Sequence, residues 1–295
     1  MVPRRLYTWN VALLILLGLN APAANAALIE FTGDVPTDFN PATNPGVVVT
    51  PVSSNPLNIG QQSWITANGW VSGWSIQDIR TNYNASTDTL DVGINTFKNS
   101  QGVNAPFGQA NGDPTGTPTS YDPAHLGGDK SIALAIAPVN FSNPSQPGTP
   151  VVVAGVPADK TVAGTGTDGY TVSTYNAANA ANGGLAYSFG TSLPQHMGNL
   201  AYDPSPAHPQ LEFTIANFSK IPGLNPSNGY WIAAFAGSAM DVVAGEAYLS
   251  WTNVPITAAQ QIPNVPEPAT WLTWTWTLVI GAAVCRFRGR IRAQS

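Results

Sequence analysis

The chain has 295 residues, and only 9% of them are Asp, Glu, Lys or Arg, whereas Gly (28) and Pro (26) are plentiful. A typical soluble protein is about 25% charged; this composition disfavours long helices and favours many short strands joined by turns. Between Ala27 and Val265 only Arg80, Lys98, Lys130, Lys160 and Lys220 stand against fifteen carboxylates, a balance that repels nucleic acid, which is held by clustered Lys and Arg.

The first predicted element is a signal peptide over residues 1–26. Arg4 and Arg5 form a basic start, and Val11 to Leu19 is an uninterrupted apolar run. Ala24 and Ala26 place small residues at the −3 and −1 positions of a cleavage site, so cleavage is expected after Ala26. The run is too short to span a hydrocarbon core of about 30 Å.

Residues 27–254 read as one β-sandwich domain, jelly-roll-like, with long loops. Strands are expected at 47–52, 75–83, 89–97, 131–137, 150–154, 170–175, 184–189, 211–215, 230–236 and 246–251, by β-propensity or by alternation. Leu90, Val92 and Ile94 fall on one face, with Asp91 and Asn95 on the other. Leu211, Phe213 and Ile215 share a face in the same way. Asn84 to Asp88 is a turn-rich spacer between two strands, and the phase break between Ile76 and Ile79 predicts a bulge. Asn176 to Ala181 begins a short helix that Asn182-Gly-Gly184 stops. Asn99 to Gly128 and Pro138 to Pro150 read as surface loops.

Three signals in this domain bear on chemistry. Trp64, Trp70 and Trp74 cluster with Gly69 and Gly73; exposed, they would stack on sugar rings, and buried they would fill the core. His125, His196 and His208 are the only histidines, none in a ligand pair such as HExxH, and Gly-x-Ser-x-Gly is absent. No metal site or catalytic residue is therefore expected, although a hydrolytic triad assembled from distant positions stays open. No cofactor is expected either, with calcium as the one ion that the carboxylates Asp113, Asp122, Asp129, Asp241 and Glu246 would suit. The single cysteine, Cys285, lies outside the domain, so the domain holds no disulfide.

Residues 255–264 read as a linker. Val265, Pro266, Glu267 and Pro268 open the last segment, followed by the uncharged run Trp271 to Cys285 and by Arg286, Arg288, Arg290 and Arg292. From Ala269 to Phe287 a helix would be about 28 Å long, enough to span. Trp271, Trp274 and Trp276 would sit at the outer interface and the arginines inside. With Arg4 and Arg5 also inside, the intervening chain lies outside.

A Pro-Glu-Pro motif, a hydrophobic helix and an arginine-rich end, in that order over residues 265–292, resemble the PEP-CTERM sorting domain of exported proteins from exopolysaccharide-producing Gram-negative bacteria. The resemblance implies recognition of Pro266, Glu267 and Pro268 by exosortase, after signal peptidase has acted, and removal of the tail. The interior also resembles an uncharacterised group of exported bacterial β-proteins, through Tyr83–Asn95, Gly148–Val156 and Ala236–Glu246. In that group an Asp- and Gly-rich loop often precedes the second segment; here it is Asn140–Pro147, without a carboxylate. The resulting expectation is a non-catalytic cell-surface or extracellular-matrix protein, anchored in the inner membrane as a precursor and associated with exopolysaccharide or biofilm. A carbohydrate-binding module and a secreted hydrolase are the alternatives.

Overall fold

The computed structural model describes residues 28–53, 63–108, 126, 128–159, 169–201, 210–240, 243 and 245–257, without the side chains of residues 63 and 64. The β-branched and aromatic runs become strands, as their fit to a pleated surface requires. In chain order these are β1 Val48–Pro51, β2 Ile76–Asn84, β3 Thr89–Thr96, β4 Lys130–Pro138, β5 Val152–Val156, β6 Thr171–Tyr175, β7 Phe189–Ser192, β8 Met197–Ala201, β9 Leu211–Ala216, β10 Tyr230–Ser238 and β11 Ala247–Val254. The α-helices are short: α1 Val35–Asp38, α2 Ser63–Ala67 and α3 Ala177–Gly183. Residues Ala26–Gln261 form one compact unit. The expected signal segment, with Ala24 and Ala26, and the expected membrane helix lie outside the described residues. Among those described, no helix is long and apolar enough to cross a membrane.

The strands form two antiparallel sheets, ordered β1-β2-β3-β9-β8 and β11-β10-β4-β5-β6-β7. The expectation of a jelly roll is corrected by this order. A jelly roll is built from two Greek keys, whose strands return by long connections. Here β1 to β3 and β4 to β7 are meanders within one sheet. The chain changes sheet only after β3, β7 and β9. Short turns such as Asn84–Asp88 explain this: Ser219 N–H and Oγ donate to the Asp88 carboxylate, as does Tyr83 OH, and hold β2 and β3 as a hairpin. The hairpin β8-β9 then docks on the free edge of β3, and β10-β11 docks on the free edge of β4.

The two sheets share one hydrophobic core. Ile79, Leu90, Val92, Ile94, Leu211, Phe213 and Ile215 from the first sheet meet Ile132, Leu134, Ile136, Val152, Val172 and Ile232 from the second. Tyr170, just before β6, crosses the interface: its ring lies 5.2 Å from Phe213, and its OH donates to Thr214 O.

The predicted bulge is present, as a register shift between Ile76 and Asp78. Asn176 caps α3 by accepting from Asn179 N–H. The strand expected at 184–189 is instead a 3-10 turn, Leu185–Tyr187, followed by β7. Gly184 enters that turn at φ 79°, and Ser188 Oγ donates to Leu185 O, a local bond that competes with strand pairing. The long segment after β3 is not wholly a surface loop: Ala105 and Phe107 are fully buried and Leu126 lies in the core.

Candidate functional site

The most densely bonded polar region lies on the outer face of the first sheet. Because side chains alternate along a strand, residues opposite the core positions of β2, β3 and β9 share that face. The register arranges them in three rows. Asp78 and Asn95 lie side by side, and Gln210, one residue before β9, extends their row. Arg80, Gly93 and Glu212 make the second row, and Asn82, Asp91 and Thr214 the third. A polar face of this kind ordinarily meets water. Here Asp78, Asn82, Asp91, Asn95, Gln210, Glu212 and Thr214 are all buried.

The cover is the strap of residues 28–47, which includes α1. Gly93 is the seat for it: a Cβ there would come within 2.8 Å of Val35 and 2.9 Å of Phe39, both fully buried. On the β2 side, Arg80 Nη1 donates to Phe39 O (3.0 Å) and Pro36 O (3.4 Å), while its Nε donates to Asp78 Oδ1 (2.8 Å). On the β9 side, Gly33 N–H donates to Glu212 Oε2 and Val35 N–H to Gln210 Oε1, each at 2.7 Å. The strap is therefore tied down at both flanks and seated in the middle.

Beneath it, hydrogen bonds run along the rows. Asn95 Nδ2 donates to Asp78 Oδ2 (2.6 Å), and Gln210 Nε2 donates to Asn95 Oδ1 (2.8 Å). Thr214 Oγ1 donates to Asp91 Oδ1 (2.9 Å). Burial raises Asp91 to about 6 against these bonds. Glu212 differs, since its Oε1 meets no donor. Burial pushes it up to about 9 against the Gly33 hydrogen bond, which favours the ionised form, and the Asp38 and Asp34 carboxylates of the strap push the same way as burial. A carboxyl in that setting is protonated at neutral pH.

The sequence-derived candidates lie elsewhere. Trp74 is fully buried, its ring 5.5 Å from Phe107 in an edge-on contact; of the two alternatives for it, filling the core holds and stacking on sugar does not. Trp70 is half-buried, and the side chain of Trp64 lies outside the described residues. His196 is buried with Nδ1 hydrogen-bonded to Ala216 O, while His125 and His208 lie outside the described residues. Among the calcium candidates, Asp129 Oδ2 accepts from Lys130 Nζ (3.0 Å) and Ser238 Oγ (2.9 Å), and Glu246 is buried against Gly237. Asp113, Asp122 and Asp241 lie outside the described residues, as do Val265, Pro266, Glu267, Pro268 and Arg286, Arg288, Arg290 and Arg292. Among the described residues no group of three or more His, Cys, Asp or Glu is placed to hold a metal ion.

A second concave feature lies beside α3. A pocket of about 280 Å³ is lined by Asn179 and Asn182 of α3 and by Pro157, Ala158, Tyr187 and Phe189. Asn182 Nδ2 donates to Ala178 O, which fixes its amide on the helix. Aromatic faces beside uncharged amides suit a neutral polyhydroxyl ligand.

The sequence reading placed Asp91 and Asn95 on one face but missed Asp78, Arg80, Gln210 and Glu212 as parts of a site. The available signal was Gly93, a glycine inside a strand, which marks close approach of another backbone. No protein-family model, curated protein or solved structure matches the chain.

Proposed function

We propose that this is an exported, non-catalytic surface or matrix protein, delivered by its sorting tail and associated with exopolysaccharide. The observation that supports this reading best is the extent of the compact unit, Ala26–Gln261. It is nearly the stretch that would remain after signal cleavage behind Ala26 and tail removal at Pro266-Glu267-Pro268. The buried, backbone-bonded His196 lends no support to a hydrolase. The test is the intact mass of the mature protein from its native host. The expected mass lacks residues 1–26 and the segment after the Pro-Glu-Pro motif, and Glu267→Ala leaves an uncut, membrane-retained precursor. A wild-type protein that keeps its tail overturns the sorting reading.

A second reading, a carbohydrate-binding module, is favoured by the pocket beside α3 rather than by the tryptophans. Its size is close to the lower bound of about 300 Å³ for small-molecule sites, so a single neutral sugar ring is the expected occupant. Titrating the protein with glucose, galactose, mannose and N-acetylglucosamine should move the amide resonances of Asn179, Asn182 and Phe189 for at least one sugar. Asn179→Ala, an exposed position, should abolish the response. Resonances that stay put with every sugar remove this reading.

A further inference from the structure

We propose that the strap over the first sheet is a pH-set latch, closed while Glu212 carries a proton and released when Glu212 ionises, baring the polar rows beneath. The inference rests on how the strap is held. Glu212 Oε2 receives Gly33 N–H at 2.7 Å, inside a fully buried site where Oε1 has no donor. The strap brings Asp34 and Asp38 to the same carboxyl, and their own bonds do not neutralise them. Thr37 Oγ1 donates to Asp34 Oδ2, and Thr32 N–H and Oγ1 donate to Asp38 Oδ2, all at 2.8 Å.

From the sheet, the charged groups on this face are Asp78 and Arg80 of β2 and Asp91 of β3. Arg80 is the only described cation on the face. It lies two strands from Glu212 across Gly93, roughly 9–10 Å at ordinary strand spacing, and it is committed to Asp78 and to Pro36 O and Phe39 O. An ionised Glu212 would thus face two carboxylates in a buried site, with no counter-ion beside it among the described residues. Lifting the strap removes Asp34 and Asp38 and lets water in.

The direction follows from the raised affinity for a proton. With the strap lifted Glu212 ionises near the ordinary carboxyl value of 4.5, and with the strap closed only at about 9. The closed form holds its full advantage below the lower value. It loses that advantage steadily as pH climbs to the upper one, because only the open form gives up its proton in between. Asp91 contributes in the same direction, but only up to its own value of about 6.

The test is hydrogen exchange on the full chain, read as protection factors so that the intrinsic pH dependence is removed. Between about pH 6 and pH 9 the Gly33 and Val35 amides should lose about tenfold protection or more, while amides of β10 keep theirs. In Glu212→Gln, which mimics the protonated group, strap protection should stay level across that range. Asp34→Asn, at a partly exposed position, keeps the test decisive should Glu212→Gln not fold: it should shrink the loss without abolishing it. A wild-type strap whose protection does not change overturns the latch. So does an equal loss in Glu212→Gln, or an undiminished loss in Asp34→Asn.

Discussion

The centres of the outer faces of the two sheets are both buried, but by opposite means. On the first sheet, carboxylates, amides and a guanidinium are roofed by a strap that hydrogen-bonds to them. On the second, Ala133, Ala135 and Ala137 of β4, Val153 of β5 and Ala233 of β10 are almost entirely apolar and almost fully buried, and the turn Leu185–Tyr187 packs against β4 and β10. The contrast teaches that a polar face can be taken out of water when most of its donors and acceptors are matched, and that the exceptions, Glu212 Oε1 among them, are where it is adjustable. An apolar face needs only small side chains and a close neighbour. The first solution is adjustable by charge; the second is sensitive to volume.

The contrast can be broken most forcefully at Gly155 of β5. Its φ is +138°, and a Cβ would come within 2.0 Å of Ile132 O on the neighbouring strand. Gly155→Ala should cost about 3 kcal/mol or more, seen as a lower denaturant midpoint for the whole domain; an unchanged midpoint would mean that the second sheet yields to volume after all. Phe39→Ala removes a buried anchor of the strap. Its cost should be smaller, about 1–2 kcal/mol, because the strap detaches before the sheet fails, and the lost protection should be confined to residues 33–39. Loss spread over β10 would contradict that picture.

A gentler probe is Asp91→Asn. Asp91 binds its proton more tightly folded, at about 6 against 3.8. Wild-type stability from this group is therefore full below about pH 4 and declines as pH rises towards 6. The asparagine variant should flatten that slope in a urea titration run at several pH values, with no counterpart on the second sheet. The smallest effect is expected at Tyr248, 58% exposed, whose ring lies 5.1 Å from Phe235. Tyr248→Ala should cost only about 0.5–1.5 kcal/mol, measured as a small drop in Tm.

Most strands could be read in advance because apolar alternation is a direct imprint of a two-faced sheet. Leu90, Val92 and Ile94, and likewise Leu211, Phe213 and Ile215, do line the core. What alternation cannot reveal is the fate of the other face. Asp91, Asn95 and Glu212 give the same pattern whether water or a strap covers them, since the covering residues lie far away in sequence. β8 was invisible for a different reason: Met197-Gly-Asn-Leu-Ala201 is mostly exposed and lacks alternation, so only its pairing with β9 makes it a strand. Trp74 was ambiguous because a cluster of indoles looks the same to a reader whether it serves a core or a ligand.

The order in which strands join the sheets bears on when the molecule can close. β9 completes the first sheet beside β3, and β10 completes the second beside β4. The bond from Thr214 to Asp91 closes a loop of 123 residues, and that from Gly33 to Glu212 one of 179. β3 and β4 each keep one edge unpaired until the last third of the domain arrives, and contacts of such long range form slowly. The meanders β1 to β3 and β4 to β7 can pair as soon as they are made, but one edge of each stays open for β9 and β10, so the topology itself postpones closure of the domain until its C-terminal strands are in hand.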